Sequence, residues 1–264
     1  MRLYALTLVK DEADVIGQAI RHAATFCDRV AVLDNGSSDD TWSIIEEIAK
    51  ELPDVVIPWG VEERPFERRM RGLMYDELRH ELEPDDWFMQ LDADEFLMGD
   101  PRPALAAAGR HGYNRVRTWQ AQFRFTDIDL ARWEAGLDDR EVPIERRRNY
   151  FEVDWREPRF WRNDPQREWG PSNASTVPDF ADRVSPRSLV NRHYQHRDPE
   201  QIQRRIDIRR KVRSDEAFPH VDVEDWRERL VPAEGLRRWE PGQPLRPFPW
   251  RYYRSRIRSA LRPD

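Results

Sequence analysis

Two aspartates one residue apart, Asp92 and Asp94, are the strongest chemical feature of the sequence. They belong to the segment Asp92-Ala93-Asp94-Glu95, directly after the apolar run Trp87–Leu91. Carboxylate oxygens are the ligands that hard cations such as Mg²⁺ and Mn²⁺ prefer, often together with substrate phosphates. A solvated acidic turn is the competing interpretation of any such pair. The position after a fourth strand, behind two similar polar loops, favours a metal site.

Polar segments also follow the first two apolar runs of the chain. Residues 10–14 follow the run Leu3–Val9, and residues 34–40 follow the run 30–33. Both segments have the composition of a turn and helix start, in which Ser38 could act as the N-cap. Carboxylate and amide side chains at a strand end can also hydrogen-bond a nucleobase and a ribose. The two roles are compatible, and both are predicted.

The first hundred residues alternate between short apolar runs and segments with apolar residues at helical spacing. Strands are predicted over 3–9, 30–33, 55–57 and 87–91, with helices between them. This βαβαβαβ order is typical of an α/β protein whose mainly parallel central sheet has helices on both faces. Ligands bind at the carboxyl ends of the strands in such sheets. The three polar segments therefore predict one site.

The pattern is less regular after residue 100. The sequence predicts a strand over 114–125, loop or helix over 126–150 and a short strand over 159–162. A helix is predicted over 198–212, with Asp198 as its N-cap and Pro199 at its first position. Prolines are frequent after residue 231, which predicts an extended arm.

Composition and charge exclude several classes of protein. Eleven tryptophans and eleven phenylalanines argue against disorder, and the chain has no apolar run of the ~20 residues that a transmembrane helix needs. The N-terminal segment turns acidic too early for a signal peptide. The single cysteine, Cys27, excludes an intramolecular disulfide and a cysteine-rich zinc site. These features predict a cytoplasmic protein.

The charge is distributed unevenly along the chain. Residues 1–100 contain 24 acidic and 10 basic side chains, whereas residues 101–264 contain 26 acidic and 34 basic ones. A nucleic-acid binder usually carries a basic face throughout its domain, so this class ranks last. The distribution is compatible with a metal held by carboxylates and a phosphate that faces arginines.

The three polar segments and their strands resemble the family 2 glycosyltransferases, which have the nucleotide-sugar-binding GT-A fold. The matching segments are LTLVKDEADVI, VAVLDNGSSDDTWSII and WFMQLDADEFL, in the order and at the spacing of the family. The match covers residues 1–125 and continues more weakly through 158–162, 169–170 and 193–197. It implies a single GT-A-like domain over 1–230, with a nucleotide-binding half (1–125) and an irregular acceptor-side half (126–230). A proline-rich arm and a basic, aromatic tail follow over 231–264.

The resemblance also implies roles for individual residues. Asp92 would contact the ribose, and Asp94 would bind Mn²⁺ or Mg²⁺. His193, in a segment similar to the family pattern H-Y-x-x-R-x-x-E-Q, is a candidate second metal ligand, and Arg197 is a candidate phosphate contact. For His193 and Arg197 a structural role is the alternative. The implied nucleotide contacts are Leu8, Lys10, Glu12, Asp34, Asn35, Ser37, Asp92 and Ala93.

The sequence departs from the family pattern at two places. Many relatives carry two acidic residues at the end of the second strand, where this chain has Asp34 and Asn35. Relatives often carry a His-Glu pair after the Trp-x-Gly stretch, where this chain has residues 171–174, Pro-Ser-Asn-Ala. An inverting transfer needs a carboxylate base, and the candidates are Asp154, Glu157, Asp164 and Glu168. Glu157 is favoured, followed by Glu168.

The predicted function is metal-dependent transfer of a sugar from a UDP-, GDP- or dTDP-sugar to an acceptor hydroxyl, with inversion. The acceptor could be a glycan, a lipid-linked molecule or a small molecule. One alternative is a non-catalytic protein that binds nucleotide sugars or glycans. Another alternative is a sugar nucleotidyltransferase. Such an enzyme needs a glycine-rich, basic first loop to bind a triphosphate, whereas residues 9–17 of this chain, VKDEADVIG, are acidic, so this alternative is disfavoured.

The last segment of the chain, PFPWRYYRSRIRSALRP, is both aromatic and basic. Such a composition could rest on an anionic membrane surface, which would place the protein at the inner face of the membrane. A C-terminal helix docked on the domain is the favoured alternative.

Overall fold

The computed structural model describes residues 1–67, 69–170, 176–211 and 223–245. The strands are β1 Leu3–Val9, β2 Arg29–Asp34, β3 Val56–Val61, β4 Trp87–Leu91, β5 Glu95–Leu97, β6 Arg115–Phe123, β7 Tyr150–Arg162, β8 Val184–His193 and β9 Arg237–Arg238. The α-helices are α1 Ile16–Ala23, α2 Thr41–Glu51, α3 Arg69–Leu78, α4 Arg102–Arg110, α5 Asp127–Glu134, α6 Ile144–Arg147 and α7 Pro199–Lys211. Short 3₁₀ helices cover Arg79–Glu81 and Trp226–Arg229.

The described strands form one sheet in the order β3-β2-β1-β4-β7-β6-β8-β5, with β9 paired to β7. Strand β1 pairs in parallel with β2 and with β4, and β2 pairs in parallel with β3. Strand β7 runs antiparallel to β4. The predicted fold class, an α/β protein with a mainly parallel central sheet flanked by helices, is confirmed.

Helices cover both faces of the parallel strands. Alternate residues of β1 point to opposite faces: Leu3 and Ala5 pack in a core with α1, α2 and α4, whereas Tyr4 and Leu6 pack in a second core with α3. The helices are held to the sheet by this burial, since apolar area removed from water stabilises the fold by about 25 cal/mol per Å².

The chain divides into two compact units. The first comprises Met1–Thr118 and Pro158–Leu189, and the second comprises Trp119–Glu157 and the chain from Val190 onward. The predicted single domain over 1–230 and its division at residue 125 stay predictions. The first unit contains the complete parallel strands and all three polar loops.

Buried charge as well as apolar packing holds the second unit together. Asp138 accepts hydrogen bonds from Arg147 and Arg148, whose side chains are almost fully buried. Burial alone would raise the pKa of Asp138, but the hydrogen bonds from Arg148 and Arg147 outweigh it and hold the pKa well below its usual range. A buried carboxylate is tolerated here because two guanidinium groups compensate it.

Helix α7 lies in the second unit and confirms a predicted helix and its cap. Asp198 Oδ1 accepts from the backbone N–H of Gln201 at 2.9 Å, and the helix begins at Pro199. Ile202 and Ile206 of this helix pack on Phe125.

The elements differ from the predictions at several places. The predicted short strand over 159–162 is the end of the 13-residue strand β7, and β5, α4 and β8 were not predicted. The prediction that Ser38 caps α2 is wrong. Helix α2 begins at Thr41, whose backbone N–H donates to Asp39 Oδ1, whereas Ser38 donates to Asp11 of the first loop. Ser38 therefore links two loops and does not start a helix.

The arm that follows residue 231 is described as far as residue 245. Strand β9 pairs with Tyr150 and Phe151 at the start of β7, and Trp239 is buried. The basic aromatic tail lies outside the described residues, so its predicted membrane contact stays a prediction. Within the described residues no helix is long and apolar enough to cross a membrane.

Candidate functional site

The register of the sheet brings the three polar loops to one edge. Val9 at the end of β1 pairs with Asp34 at the end of β2, and Thr7 pairs with Leu91 at the end of β4. Strands β1 and β2 therefore end at paired residues, and β4 ends opposite a residue only two positions before the end of β1. The three loops consequently start side by side at one edge of the sheet. This is the carboxyl edge, where parallel sheets place their ligands.

Hydrogen bonds tie the first loop to the second. Asp11 has a left-handed backbone (φ 53°), which is unusual for a residue other than glycine. Its carboxylate Oδ1 accepts from the backbone N–H of Ser38 at 2.6 Å, and its own N–H donates to Ser37 Oγ at 2.9 Å. Lys10 Nζ donates to the carbonyls of Asn35 and Gly36 at 2.8 and 2.9 Å. The two loops thus form one assembly.

Asp34 and Asn35 hold the second loop in its conformation through hydrogen bonds of their side chains. Asp34 is fully buried, and its Oδ1 accepts from the N–H of Ser37 at 2.6 Å. Among the described residues its Oδ2 has no hydrogen-bond partner. Asn35 Nδ2 donates to the carbonyls of Glu62 at 2.8 Å and Arg64 at 2.7 Å. Asn35 therefore fastens the loop after β3 to the second loop.

Leu8 and Glu12 have clear structural roles. Leu8 packs in the core on the α3 side of the sheet, so a nucleotide could meet only its backbone. The N–H of Glu12 donates to Thr41 Oγ1 at 2.9 Å, and its carbonyl accepts from Val15 and Ile16 at the start of α1. Their predicted contacts with a nucleotide stay predictions.

The acidic loop after β4 is neutralised by two arginines. Asp92 Oδ1 lies 2.5 Å from Arg71 Nη2 of α3, and Asp92 Oδ2 lies 3.1 Å from Arg159 Nη2 of β7. The same Arg159 nitrogen contacts Glu95, which is fully buried. Ala93 and Asp94 are also buried, with Asp94 only 3% exposed. Asp92 is thus held by cations from two other elements.

Both arginines are themselves enclosed by protein. Burial lowers the pKa of the Arg71 guanidinium, while the neighbouring charge of Asp92 acts in the opposite direction. Arginine nevertheless keeps its charge in proteins. When the Gln90 amide is oriented to suit its neighbours, its oxygen accepts from a second guanidinium nitrogen of Arg159 and its nitrogen donates to the carbonyl of Thr176 at 2.8 Å. These contacts hold Arg159 in place beside Asp92 and Glu95.

Neither arginine was predicted from the sequence. They lie 21 residues before and 67 residues after Asp92, and nothing in their local pattern distinguishes them from the other arginines. The signal that could have found them is the acid cluster itself, because three acids at one buried strand end need cations nearby.

The donor set at this loop suits a metal that arrives with a phosphate. The described residues contain no group of three His, Cys, Asp or Glu side chains that could hold a metal ion. Asp94 supplies hard carboxylate oxygen, whereas both oxygens of Asp92 already bind arginines. Mg²⁺ and Mn²⁺ commonly use one or two carboxylates, with waters and substrate phosphates as the remaining ligands. The residues therefore fit a site that substrate phosphates complete, and ligation of the metal by Asp94 stays a prediction.

His193 lies in the second unit, in a chain of amides. Its Nδ1 is 2.9 Å from Gln122 Nε2, and Gln122 Oε1 accepts from Gln195 Nε2 at 2.9 Å. With these amide orientations Nδ1 accepts a hydrogen bond, and the imidazole proton is on Nε2. Nε2 could bind a metal only if the proton moved to Nδ1. The side-chain amides of Gln122 and Gln195 would then both have to turn over to accept from it, so ligation of a metal by His193 stays a prediction.

Arg197 and His196 are buried in the second unit. Arg197 is fully buried, its Nη1 donates to the carbonyl of Tyr194 at 3.0 Å, and its N–H donates to Gln201. A phosphate could reach this guanidinium only after rearrangement, so the phosphate contact stays a prediction. Burial, with Arg205 and Arg124 nearby, lowers the pKa of His196 well below its usual range.

The candidate bases occupy different environments. Glu157 Oε1 accepts from the indole N–H of Trp155 at 2.5 Å, in the second unit. Glu168, in the first unit, is 74% exposed and 3.8 Å from Arg79. Asp164 Oδ1 accepts from the N–H of Gln166, and the side chain of Asp154 lies outside the described part of the chain.

Comparison with known proteins gives a distant likeness of fold. No protein-family model and no curated protein matches the chain. A mannosyltransferase from Pyrobaculum calidifontis, solved with GDP-mannose and Mn²⁺, is 14% identical, with a TM-score of 0.45 over 78% of this chain and 61% of that one. Glucosyl-3-phosphoglycerate synthase from Mycobacterium tuberculosis, solved with Mn²⁺, UDP and glucosyl-3-phosphoglycerate, is 14% identical, with a TM-score of 0.38 over 80% of each chain.

A solved protein with another activity is also similar. Mannose-6-phosphate isomerase from Helicobacter pylori is 12% identical, with a TM-score of 0.31 over 46% of this chain and 51% of that one. Since these TM-scores are below 0.5, the function must be argued from the chain's own residues.

Proposed function

We propose that the chain is a metal-dependent glycosyltransferase that moves a sugar from a nucleotide-sugar donor to an acceptor hydroxyl. The observation that carries the proposal is the convergence of the loops after β1, β2 and β4 on one edge of the parallel sheet. The third of these loops ends in the buried carboxylate of Asp94. The motif spacing that resembles family 2 glycosyltransferases agrees with this placement.

In the proposed reaction, different residues of the chain bind the nucleoside, bind the metal ion and remove the proton of the acceptor. The loops after β1 and β2 bind the nucleoside, and Asp92, fixed by Arg71 and Arg159, faces the ribose. Asp94 holds Mn²⁺ or Mg²⁺, and such an ion would stabilise the negative charge of the departing diphosphate. A carboxylate removes the proton of the attacking hydroxyl.

Glu157 is our first choice for that base. The hydrogen bond from Trp155 orients its carboxylate, and removing a general base typically slows a reaction by about 10²–10⁴-fold. Loss of turnover with unchanged donor binding in Glu157→Gln would identify it. Loss of turnover with unchanged donor binding in Glu168→Gln, and not in Glu157→Gln, would identify Glu168 as the base instead.

Asp94→Asn tests the proposal directly. Full-length protein is incubated with UDP-, GDP- and dTDP-sugars in Mn²⁺, Mg²⁺ or EDTA, and thermal stability and release of nucleoside diphosphate are measured. A ligand at about 100 times its Kd stabilises the folded state by about 2.7 kcal/mol. We expect one nucleotide to raise the melting temperature in a metal-dependent way, and we expect Asp94→Asn to lose the metal-dependent part.

Asp54→Asn is the matched control, because Asp54 is an exposed aspartate in the turn between α2 and β3. It makes the same change of charge away from the polar loops and should behave as wild type. The absence of any nucleotide-dependent shift, or an unaltered metal response in Asp94→Asn, would contradict the proposal. Binding without diphosphate release or sugar transfer would instead favour the non-catalytic alternative, a nucleotide-sugar-binding protein.

A further inference from the structure

We propose that the cleft beside the first turn of α3 binds the base of the donor nucleotide, and that the base it selects is guanine. The inference rests on the proposed function, since it assumes that a nucleotide occupies the carboxyl edge of the sheet. The cleft has a volume of about 260 Å³ and is lined by Arg64, Glu67, Arg69, Met70 and Leu73.

Two of the residues that line the cleft are linked to positions predicted to contact the nucleotide. The backbone carbonyl of Arg64 accepts from Asn35 Nδ2 of the second loop at 2.7 Å. Met70 precedes Arg71, whose Nη2 lies 2.5 Å from Asp92 Oδ1. The cleft is therefore linked through Arg64 to the loop expected to hold the base, and through Arg71, the neighbour of Met70, to the acid expected to hold the ribose.

Asn35 has no N–H donor left for a base, so any contact of its side chain with a base would use Oδ1. A side-chain amide has two N–H donors, and Asn35 uses its nitrogen on the carbonyls of Glu62 and Arg64. These bonds fasten the segment after β3 against the second loop. Side chains of that segment and of α3 therefore complete the recognition of the base.

The wall of the cleft suits a flat ring. Leu73 is 46% exposed and provides apolar surface at the start of α3, whereas Met70, which is 3% exposed, lines the cleft with only a small part of its side chain. A thioether side chain adapts to the shape of an aromatic ring and makes favourable contacts with it. Pockets for drug-sized ligands have volumes of about 300–1,000 Å³. The smaller cleft matches a single ring system better than a whole donor molecule.

The polar rim favours guanine over uracil and adenine. The Glu67 carboxylate has two acceptor oxygens and no donor, and guanine presents adjacent N1–H and N2–H₂ donors on one edge. Uracil has one N–H between two carbonyls, which a carboxylate would repel, and adenine offers only its amino group. Arg64 is paired with Glu62 at 2.7 Å, and Arg69 is a donor for the acceptor atoms of guanine.

Calorimetric titration of the full chain with GDP, IDP and UDP in Mn²⁺ tests the inference. IDP lacks the N2 amino group, so GDP should bind about tenfold more tightly than IDP and more tightly still than UDP. Glu67→Gln should weaken GDP binding by about tenfold and remove the difference between GDP and IDP, because glutamine offers one acceptor oxygen. Glu63→Gln, an exposed acid of the same loop outside the cleft lining, should change neither affinity.

The outcomes separate this inference from the proposed function. Tighter binding of UDP than of GDP would overturn the guanine assignment and leave the glycosyltransferase proposal in place. An equal loss of GDP and IDP affinity in Glu67→Gln would also overturn it, because a merely structural role of Glu67 would act on both nucleotides alike. Failure of wild type to bind any of the three nucleotides would overturn the proposed function itself.

Discussion

Arg159 joins two acids that are near neighbours in the chain and would otherwise repel each other. Its Nη2 contacts Asp92 and Glu95, and both Arg159 and Glu95 are buried. Removing one partner of a buried ion pair leaves the other charge uncompensated in a medium of low dielectric constant. Removing Arg159 should therefore destabilise the acidic loop, although Arg71 would still contact Asp92.

We predict that Arg159→Met lowers the free energy of unfolding by about 3–5 kcal/mol, measured by urea denaturation. The reason is the loss of compensation for Glu95, since methionine keeps an apolar stem but carries no charge. Arg162→Met is the control on the same strand. Its partner Asp85 is 83% exposed, so the change should be below about 1 kcal/mol. Equal effects of the two substitutions would contradict the account.

At the residue scale, the sequence predicted the acids of the site but not the arginines that hold them. Asp92 and Asp94 stand out because they follow an apolar run at fixed spacing. Arg71 and Arg159 reach the same loop from α3 and β7. Their contact is set by tertiary packing, which no local pattern encodes. For the same reason the fastening role of Asn35 became clear only from its partners in the loop after β3.

Helix α3 packs unusually close to the segment that contains Trp169. A Cβ added at Gly72 would lie 2.8 Å from Cγ of Trp169, nearer than real Cβ atoms approach other atoms. Trp169 is 2% exposed and packs edge-on against Tyr75 and Trp161. The ring therefore has little room to move, and Gly72 is required by packing.

We predict that Gly72→Ala destabilises the protein by about 1–3 kcal/mol, because overpacking forces neighbouring side chains from their positions. Gly109→Ala, in α4, should have the opposite sign. A Cβ there meets its nearest neighbour, Trp87, at an ordinary 3.8 Å, and replacing a helical glycine by alanine adds about 0.5–1 kcal/mol of stability. Chemical denaturation of both variants checks the signs. Stabilisation by Gly72→Ala would show that the helix can move away from Trp169.

At the element scale, the sequence predicted the first half of the fold better than the second. Strands β1 and β4 are apolar apart from Thr7 and Gln90, and β4 was predicted with its observed bounds. Strand β8 has no clear alternation of buried and exposed residues, and charged residues interrupt the apolar positions of β7. Polar strands of this kind are stabilised by their neighbours in the sheet, which a local window does not include.

The first unit of the molecule is assembled from two separate stretches of the chain. The stretch Pro158–Leu189 returns to Met1–Thr118 after the chain has passed through the second unit. It supplies Phe160 to one core and Trp161, Trp169 and Phe180 to the other. The nucleotide-binding half predicted from the resemblance, residues 1–125, lacks these aromatic residues.

A fragment of residues 1–118 should therefore not fold on its own. Phe88 stacks on Trp161 with ring centroids 5.7 Å apart, and Tyr75 contacts Trp169 and Phe180 at about 6 Å. Each large apolar side chain left exposed loses about 1.5–3 kcal/mol of stabilisation. Several such losses equal the whole stability of a typical domain, about 5–15 kcal/mol. Strand β4 would also lose its antiparallel partner β7 and expose an apolar edge.

Urea denaturation followed by circular dichroism, with size-exclusion chromatography, checks this expectation. Fragment 1–118 should show no cooperative transition and should aggregate, whereas fragment 1–189, which contains both stretches of the first unit, should retain a cooperative transition. A transition of 1–118 with the midpoint of the full chain would contradict the argument. It would mean that the parallel strands and their helices are stable without the returning stretch. Arg159 would then be dispensable for folding, and the loss expected in Arg159→Met would have to be small.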